Sequence, residues 1–388
     1  MQRETDSGFH RAFHVAGNRL VPLTNGRERL DALLGLIDGA EGSLRLLYYI
    51  FLDDATGRRV RDALIAALGR GVAVTLIVDG FGSDDADAAF FRPLDAAGAT
   101  FCRFLPRLGR RYLLRNHQKL AVADGRIAII GGFNVSDAYF GEAPAANWRD
   151  LGLRVEGPTV RHIAEYYDVL ADWTRQTRGK LRDLRRALDR WSERSGRVRW
   201  LLGGPARRLS PWALEVKQEM RRARSLDMIA AYFAPNPAML RRVEGVARGG
   251  GRARVVTAAL SDNTATVSAA RHTYRRLLRR GVEVYEYQPT KLHTKLYVID
   301  DCVHIGSANF DMRSLYLNLE LMLRVEDAAF ARAMRGYFER ELGDCAQITR
   351  EGHRARARWW DRLRWTLAYF VVGVLDYGVT RRLNFGPE

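Results

Sequence analysis

Cysteine is scarce in this chain. Cys102, Cys302 and Cys345 are spread over 388 residues, too few and too scattered for a disulfide framework or a zinc site, so a reducing compartment is expected. Paired His or Cys ligand spacings are also missing, and the triple glycine Gly249–Gly251 lacks the Gly-Lys-Ser/Thr ending of a phosphate-binding loop. Neither a metal nor a cofactor is expected. The opening residues Met1–Asp6 carry no apolar core of a signal peptide. The one membrane-like stretch, Trp365–Leu375, would extend roughly 16 Å as a helix, about half of the ~30 Å hydrocarbon layer. It cannot span a bilayer.

Acidic charge is short relative to basic charge. Lys plus Arg number 62 against 45 Asp plus Glu, a net charge of +17. With 47% apolar and 28% charged residues the chain is globular rather than disordered, and its cationic surface favours phospholipid head groups, nucleic acid or small anions. The excess is concentrated in two places. Residues 176–224 read as a basic helical linker, with Leu181, Leu184, Leu188 and Trp191 at helical steps among arginines that include Arg178, Arg207 and Arg208. Residues 346–388 read as a C-terminal segment in which Arg354, Arg356, Arg358, Arg362, Arg364, Arg381 and Arg382 flank Trp359, Trp360, Trp365 and Tyr369. That segment either lies in an anionic membrane interface or packs as a helix on the body.

What the sequence does have is a long, diverged repeat. The apolar runs Leu44–Leu52 and Val72–Val78 in the first half match Ser225–Phe233 and Ala253–Ala259 in the second, each followed by a helical pattern. Asp150-Leu-Gly-Leu-Arg-Val-Glu156 matches Glu320-Leu-Met-Leu-Arg-Val-Glu326, aligning one acid with another. Strands alternating with amphipathic helices predict an α/β fold in two lobes, residues 1–175 and 225–345, facing each other across a cleft.

Each lobe carries one polar motif: His117-x-Lys119-x4-Asp124 followed by Gly131-Gly132-Phe133-Asn134, and His293-x-Lys295-x4-Asp300 followed by Gly306-Ser307-Ala308-Asn309. Residues two apart on a strand share a face, so His and Lys are expected to project together. Asp124 and Asp300 would lie about 16 Å farther along, in hairpin turns, and suit a structural role better than contact with substrate. The glycines permit close backbone approach, and Asn134 and Asn309 can return an amide to the site as phosphate support. Two imidazoles, two ammonium groups and two carboxamides around one point suit a phosphodiester. One neutral His can attack phosphorus, and the other, protonated, can hand its proton to the leaving alkoxide. Asp150 and Glu320 are placed to orient the histidines.

These motifs carry a resemblance. VADGRIAIIGGFN with LRVEG in the first half, and LHTKLYVIDD with GSANFDMRSLYLNLE in the second, resemble the phospholipase D superfamily with its two HKD motifs, and within it the bacterial cardiolipin synthases, over roughly residues 20–345. The resemblance implies a pseudo-symmetric two-lobed α-β-α sandwich with the active site between the lobes. It implies a catalytic set of His117, Lys119, Asp124, His293, Lys295 and Asp300, a phosphohistidine intermediate, and His117 as nucleophile with His293 as acid, although sequence symmetry alone cannot choose between them. It further implies transfer of a phosphatidyl group from phosphatidylglycerol to a lipid alcohol by a peripheral protein on the cytoplasmic side of the bacterial inner membrane. Phospholipase D hydrolysis and a nuclease activity share the same site chemistry, and a lipid-binding protein with a decayed site is a third class; nucleic acid is not a partner in the leading reading. One departure stands out: five residues, rather than the family's usual six, separate Asp300 from Gly306-Ser307, which is expected to displace Ser307 and Asn309.

Overall fold

The computed structural model describes residues 11–104, 114–141, 147–176, 179–206 and 209–375. Strands β1 (Phe13–Val15), β2 (Asn18–Leu23), β3 (Ser43–Tyr48), β4 (Ala73–Asp79), β5 (Thr100–Phe104), β6 (Leu120–Ala123), β7 (Ile127–Gly131) and β8 (Gly152–Glu156) form the first sheet, in the order β1-β2-β8-β7-β6-β3-β4-β5. The helices of this lobe are α1 (Gly26–Asp38), α2 (Ala55–Gly69), α3 (Ala88–Ala96), α4 (Asp137–Phe140) and α5 (Thr159–Arg175). Then come α6 (Leu181–Trp191), β9 (Val198–Gly203) and α7 (Pro211–Met220).

The second lobe repeats the plan with β10 (Ser225–Ala230), β11 (Phe233–Ala234), α8 (Pro237–Arg248), β12 (Arg252–Ala258), α9 (Thr264–Arg279), β13 (Glu283–Tyr287), β14 (Lys295–Ile299), β15 (Cys302–Gly306), β16 (Phe310–Asp311), α10 (Met312–Tyr316), β17 (Glu320–Glu326), α11 (Ala328–Leu342) and β18 (Cys345–Ile348). Its sheet order, β18-β13-β12-β10-β14-β15-β17-β9, superposes on the first with β3, β4 and β5 replaced by β10, β12 and β13. In both lobes these three strands are parallel and the hairpin that follows is antiparallel.

Local sequence explains the element boundaries. Asn236 caps α8 by accepting from Met239 N, and Pro237 follows at the first helical position, where a missing N–H costs nothing. Asp54 caps α2 through Gly57 N. Between the sheets lies one apolar layer. Leu120, Val122, Leu153 and Val155 meet Leu296, Val298, Leu323 and Val325, with Ile163 and Tyr167 of α5 and Met334 and Phe338 of α11 interleaved. Each fully buried side chain of this kind contributes about 1.5–3 kcal/mol, so the layer welds the two lobes.

The stretch 176–224 is more than a helical linker. β9 pairs antiparallel with β17 from Val198↔Val325 to Gly203↔Glu320, in the place that β2 takes beside β8 in the first lobe. The run Val198–Gly203 is buried throughout, and this apolar pairing overrides the basic composition around it. The second lobe therefore begins before residue 225, and it extends past 345 because β18 pairs with β13. On α6, Leu181, Leu184 and Leu188 are buried, while Arg186 and Arg194 sit beside Asp183 and Asp189 at the surface. Arg178, Arg207, Arg208, Arg381, Arg382 and the opening residues lie outside the described residues.

At the C-terminal end, α12 (Arg350–Arg356) and α13 (Trp359–Phe370) pack on α9. The packed-helix reading holds on the inner face of this segment, and its outer face leaves an apolar stripe exposed. Inwards, Tyr369 stacks on His272 at 4.7 Å, its hydroxyl donates to Pro235 O at 2.6 Å, and Trp365 stacks on His353 at 5.1 Å. Outwards, Trp360, Leu363, Leu367 and Phe370 follow helical spacing and are exposed. Among the described residues no helix is long and apolar enough to cross a membrane.

Candidate active site

The histidines enter the cleft on short crossing segments, not on the strands themselves. β6 starts at Leu120 and β14 at Lys295, which corrects the expectation of His and Lys side by side on one strand face. Asn116 bridges in parallel to Leu319, and Arg149 to Leu292. His117 N donates to Leu319 O at 2.9 Å and His293 N to Arg149 O at 2.7 Å. Each approach segment thus runs beside the residues that lead into the other lobe's acid.

The pairing is consequently crossed. His293 Nδ1 lies 2.7 Å from Asp150 Oδ2, and His117 Nδ1 lies 3.1 Å from Glu320 Oε2. The two imidazole rings meet edge to face, with planes 67° apart and centroids 6.5 Å apart, close enough for both to reach one phosphate. Lys119 and Lys295 fold back so that each amino group donates to the carbonyl of its own motif's histidine. Both lysines are buried.

Charge in this enclosure is tightly constrained. Burial and the adjacent Lys119 push the His117 imidazole below its ordinary value, with Glu320 opposing. Burial and Lys295 push His293 down to about 3, with Asp150 opposing. Burial lowers Lys119 well below the usual ammonium range and Lys295 to about 8. Burial works against ionisation of Asp150 and Glu320 too, but the facing histidines and lysines outweigh it, and both carboxyls are held below their ordinary values. An ionised carboxylate only accepts, so Nδ1 of each ring carries the proton and Nε2 keeps its lone pair. Burial thus biases both imidazoles towards the neutral form, with Nε2 turned away from the orienting acid.

The acids are themselves fixed. Glu320 accepts from Ser307 Oγ at 2.5 Å and Ser314 Oγ at 2.8 Å. Asp150 Oδ1 accepts from Leu151 N at 2.8 Å, and the buried Arg29 donates to Asp150 O at 2.6 Å and Tyr139 O at 2.8 Å. Gly132 lies directly against this pair: a Cβ there would sit 2.6 Å from Asp150 Oδ1 and 2.9 Å from His293 O. Arg29, Ser314 and Asp79, whose carboxylate accepts from Asn116 N at 2.8 Å, were not singled out in the sequence. Arg29 lies in α1 and Asp79 at the end of β4, with no motif spacing, and Ser314 lies within the GSANFDMRSLYLNLE run with nothing in its spacing to mark it. Nor were the aromatic walls: Tyr49 stands 5.1 Å from the His117 ring, and Trp148 and Tyr139 stand 5.2 and 5.3 Å from His293.

Asp124 and Asp300 do not join the site. Asp124 accepts from Glu41 N, Gly42 N and Ser43 N, and Asp300 from Arg224 N, Ser225 N and Ser225 Oγ. Each takes positive φ, 53° and 48°, in the turn of its hairpin, at the end of the strand away from the histidine. Their inclusion in a catalytic set is corrected by this distance. Asn134 and Asn309 are nearer but are engaged by the scaffold. Asn134 Oδ1 accepts from Ile50 N and its Nδ2 donates to Tyr139 OH, while Asn309 Oδ1 accepts from Tyr232 N.

The shorter second motif has no effect at the cleft. Leu120 pairs with Ile130 and Leu296 with Ile305, so the registers beside the glycines are equivalent. The missing residue comes out of the turn, where Asp124–Arg126 separate the paired ends of one hairpin and Asp300–Asp301 those of the other. The expected displacement of Ser307 and Asn309 is thereby corrected.

The sequence profile described as cardiolipin synthase, PLD-like domain, matches residues 33–170 and 216–342, one segment per lobe. Cardiolipin synthase B of Escherichia coli is 30% identical over 96% of this chain and 93% of its own length. A probable cardiolipin synthase of Bacillus subtilis is 28% identical over 94% of this chain and 74% of its own. Among solved structures, the phosphatidylserine synthase of Haemophilus influenzae shares the fold with a TM-score of 0.72 at 12% identity, over 93% of this chain and 95% of that one. The chain belongs to the cardiolipin synthase family of phospholipase D-like proteins.

Proposed function

We propose that this protein is a phosphatidyltransferase that makes cardiolipin from two molecules of phosphatidylglycerol. The observation that carries the reading is the pair of opposed imidazoles, 6.5 Å apart, each tied through Nδ1 to an acid of the other lobe. His117 Nε2 attacks phosphorus of the first lipid. His293 takes a proton from solvent on Nε2 as the phosphodiester enters; the bond from phosphorus to the glycerol oxygen then breaks, His293 gives that oxygen the proton, and glycerol departs. A hydroxyl of the second lipid then attacks the phosphatidyl-histidine; its proton passes to His293 and the phosphorus–nitrogen bond breaks. We assign the attack to His117, whose side chain is the more exposed of the two, 12% against 5%, and so the more readily reached by an incoming lipid.

The low resting proton affinity of both rings fits a substrate-armed acid. An incoming phosphodiester brings negative charge into a buried cleft, which raises the neighbouring imidazole's affinity for a proton. Lys119 and Lys295 stand where they can stabilise charge on the non-bridging oxygens. Asp150 and Glu320 hold each imidazole's orientation and tautomer. The exposed apolar face of α13 supports action at a membrane surface, and we place the protein peripherally on the cytoplasmic side of the bacterial inner membrane.

The test is incubation of purified protein with phosphatidylglycerol vesicles followed by lipid mass spectrometry. Cardiolipin and free glycerol in equal amounts are expected. Phosphatidic acid in place of cardiolipin would make the protein a hydrolase and overturn the transfer reading.

A further inference from the structure

A second cationic enclosure lies outside the cleft. Between α9, α12 and α13 is a cavity of about 550 Å³ lined by Arg271, Arg275, Arg279, Arg350, Arg354 and Arg362, with no acidic residue in its wall. Two of the six have partners within the protein: Arg271 holds Glu286 at 2.8 and 3.0 Å, and Arg350 Nε donates to Leu278 O at 2.8 Å. Arg275, Arg279, Arg354 and Arg362 are exposed, and among the described residues none of them forms an ion pair with a carboxylate. These four guanidinium groups line one cavity without an ion pair of their own, so they give it a positive potential that an anion would lower. The volume lies within the range of about 300–1,000 Å³ usual for small-ligand sites.

The cavity's outer edge is the apolar stripe of α13. Arg362 and Trp365 line the cavity, while Trp360, Leu363, Leu367 and Phe370 of the same helix are 46–62% exposed. Cationic pocket and apolar stripe therefore lie side by side, as the phosphate and acyl layers of a bilayer do. The placement also connects to the cleft. Tyr369 OH donates to Pro235 O, three residues after Tyr232, whose ring is 6.5 Å from His293 and whose hydroxyl donates to Asp262 just ahead of α9.

We propose that this cavity seats the phosphate of an anionic phospholipid that is not the substrate, with the α13 stripe in the adjoining acyl chains, so that one bound lipid fixes the cleft against the bilayer. The inference rests on the lipid-surface reading above and adds to it a second lipid site with a stated location. Nucleic acid is the poorer occupant because an exposed Trp, Leu and Phe stripe has no phosphate backbone to follow.

The test uses the full chain and three variants. They are the fourfold Arg275→Ala, Arg279→Ala, Arg354→Ala, Arg362→Ala; the same four changed to Lys; and Trp360→Ser with Leu367→Ser. The fourfold Ala variant should lower partition onto phosphatidylglycerol vesicles by at least about tenfold, since each arginine near an anionic leaflet contributes several-fold. Binding to phosphatidylcholine vesicles should be unchanged. The Lys variant should recover most of the anionic binding, and the Trp/Leu variant should lose binding to both vesicle types. Turnover of phosphatidylglycerol in detergent micelles should stay within about twofold of the parent for all three, since none of these residues touches the cleft. Wild-type anionic partition by the fourfold Ala variant overturns the inference. So does arginine-dependent binding of inorganic phosphate or duplex DNA with vesicle partition unchanged. Failure of the parent to form cardiolipin in micelles overturns the proposed function instead, so the two failures are distinguishable.

Discussion

Asp150 of the first lobe lies 2.7 Å from His293 of the second, 143 positions along the chain, and Glu320 returns the contact to His117 across 203 positions. Each lobe supplies a histidine it cannot orient and an acid with no histidine of its own to hold. The crossing is fixed in the backbone by two parallel bridges, Asn116 with Leu319 and Arg149 with Leu292, so the site exists only when the lobes are joined.

Removing the charge of an orienting acid should cost rate rather than binding. Asp150→Asn keeps size but offers its amide to Nδ1, which favours the wrong tautomer and loads the proton onto Nε2 of His293. A fall in kcat of about 10²–10⁴-fold is expected, the range seen for the third member of nucleophile–base systems, with KM moved little. Steady-state kinetics on micellar phosphatidylglycerol check it; an unchanged kcat with a raised KM would assign Asp150 to substrate binding.

Activity should depend on pH through the groups buried with the phosphate. In the free enzyme the His117 imidazole is held below its ordinary affinity for protons, so its neutral, attacking form is favoured at neutral pH and the acid limb of kcat/KM should fall below the ordinary imidazole value of about 6.5. On the alkaline side Lys295 loses its proton near 8 because burial depresses it. As pH rises through that value one ammonium is lost and kcat/KM declines. The pH profile of Lys295→Ala reads this out: the alkaline limb near 8 should be absent in whatever activity remains.

Much of this was legible beforehand. The β3, β4, β10 and β12 runs, the α/β alternation, the two lobes and the six residues His117, Lys119, Asp150, His293, Lys295 and Glu320 that meet in the cleft all follow from apolar periodicity and one internal repeat. β9 was hidden because Val198–Gly203 is only five apolar or small positions, interrupted by Arg199, inside a stretch whose composition is dominated by arginine; its burial comes from β17, a partner more than a hundred residues away. The crossed acid–histidine pairs were hidden for a related reason. An internal repeat tells which residues are equivalent, Asp150 with Glu320 and His117 with His293, but contacts across a pseudo-dyad join non-equivalent partners, and only three-dimensional packing fixes which.

The turn aspartates separate a structural from a catalytic role. Asp124 satisfies three backbone N–H groups at positive φ. Asp124→Ala leaves these donors without their acceptor and places a residue with a Cβ but no local hydrogen bond in the left-handed region. A destabilisation of about 1–3 kcal/mol is expected, read by urea unfolding. The activity of the folded fraction should stay within about threefold, whereas His117→Ala should lose at least about 10³-fold because removing the nucleophile leaves only binding and electrostatic stabilisation. A collapse of specific activity in folded Asp124→Ala would return this residue to the catalytic set.

Gly132 is where backbone and site are closest, and it tests whether the crossed pair tolerates displacement. A methyl group there would meet Asp150 Oδ1 at 2.6 Å and His293 O at 2.9 Å. One neighbour is main chain and the other is a carboxylate locked by Leu151 N and the imidazole, so neither can swing aside as the end of a long side chain would. Gly132→Ala must therefore move the acid, the histidine segment or both by several tenths of an ångström, and orientation errors of about 1 Å cost roughly 10²-fold in rate. The expected result is a fall in kcat of about 10–10²-fold, with overpacking that also costs about 1–3 kcal/mol of stability. Gly131→Ala, whose Cβ would meet Leu151 O and the Phe133 ring rather than Asp150, is the control: it should carry the same kind of stability cost with a smaller loss of kcat. Equal kcat losses in the two variants would mean that local strain, and not displacement of the Asp150–His293 pair, sets the rate.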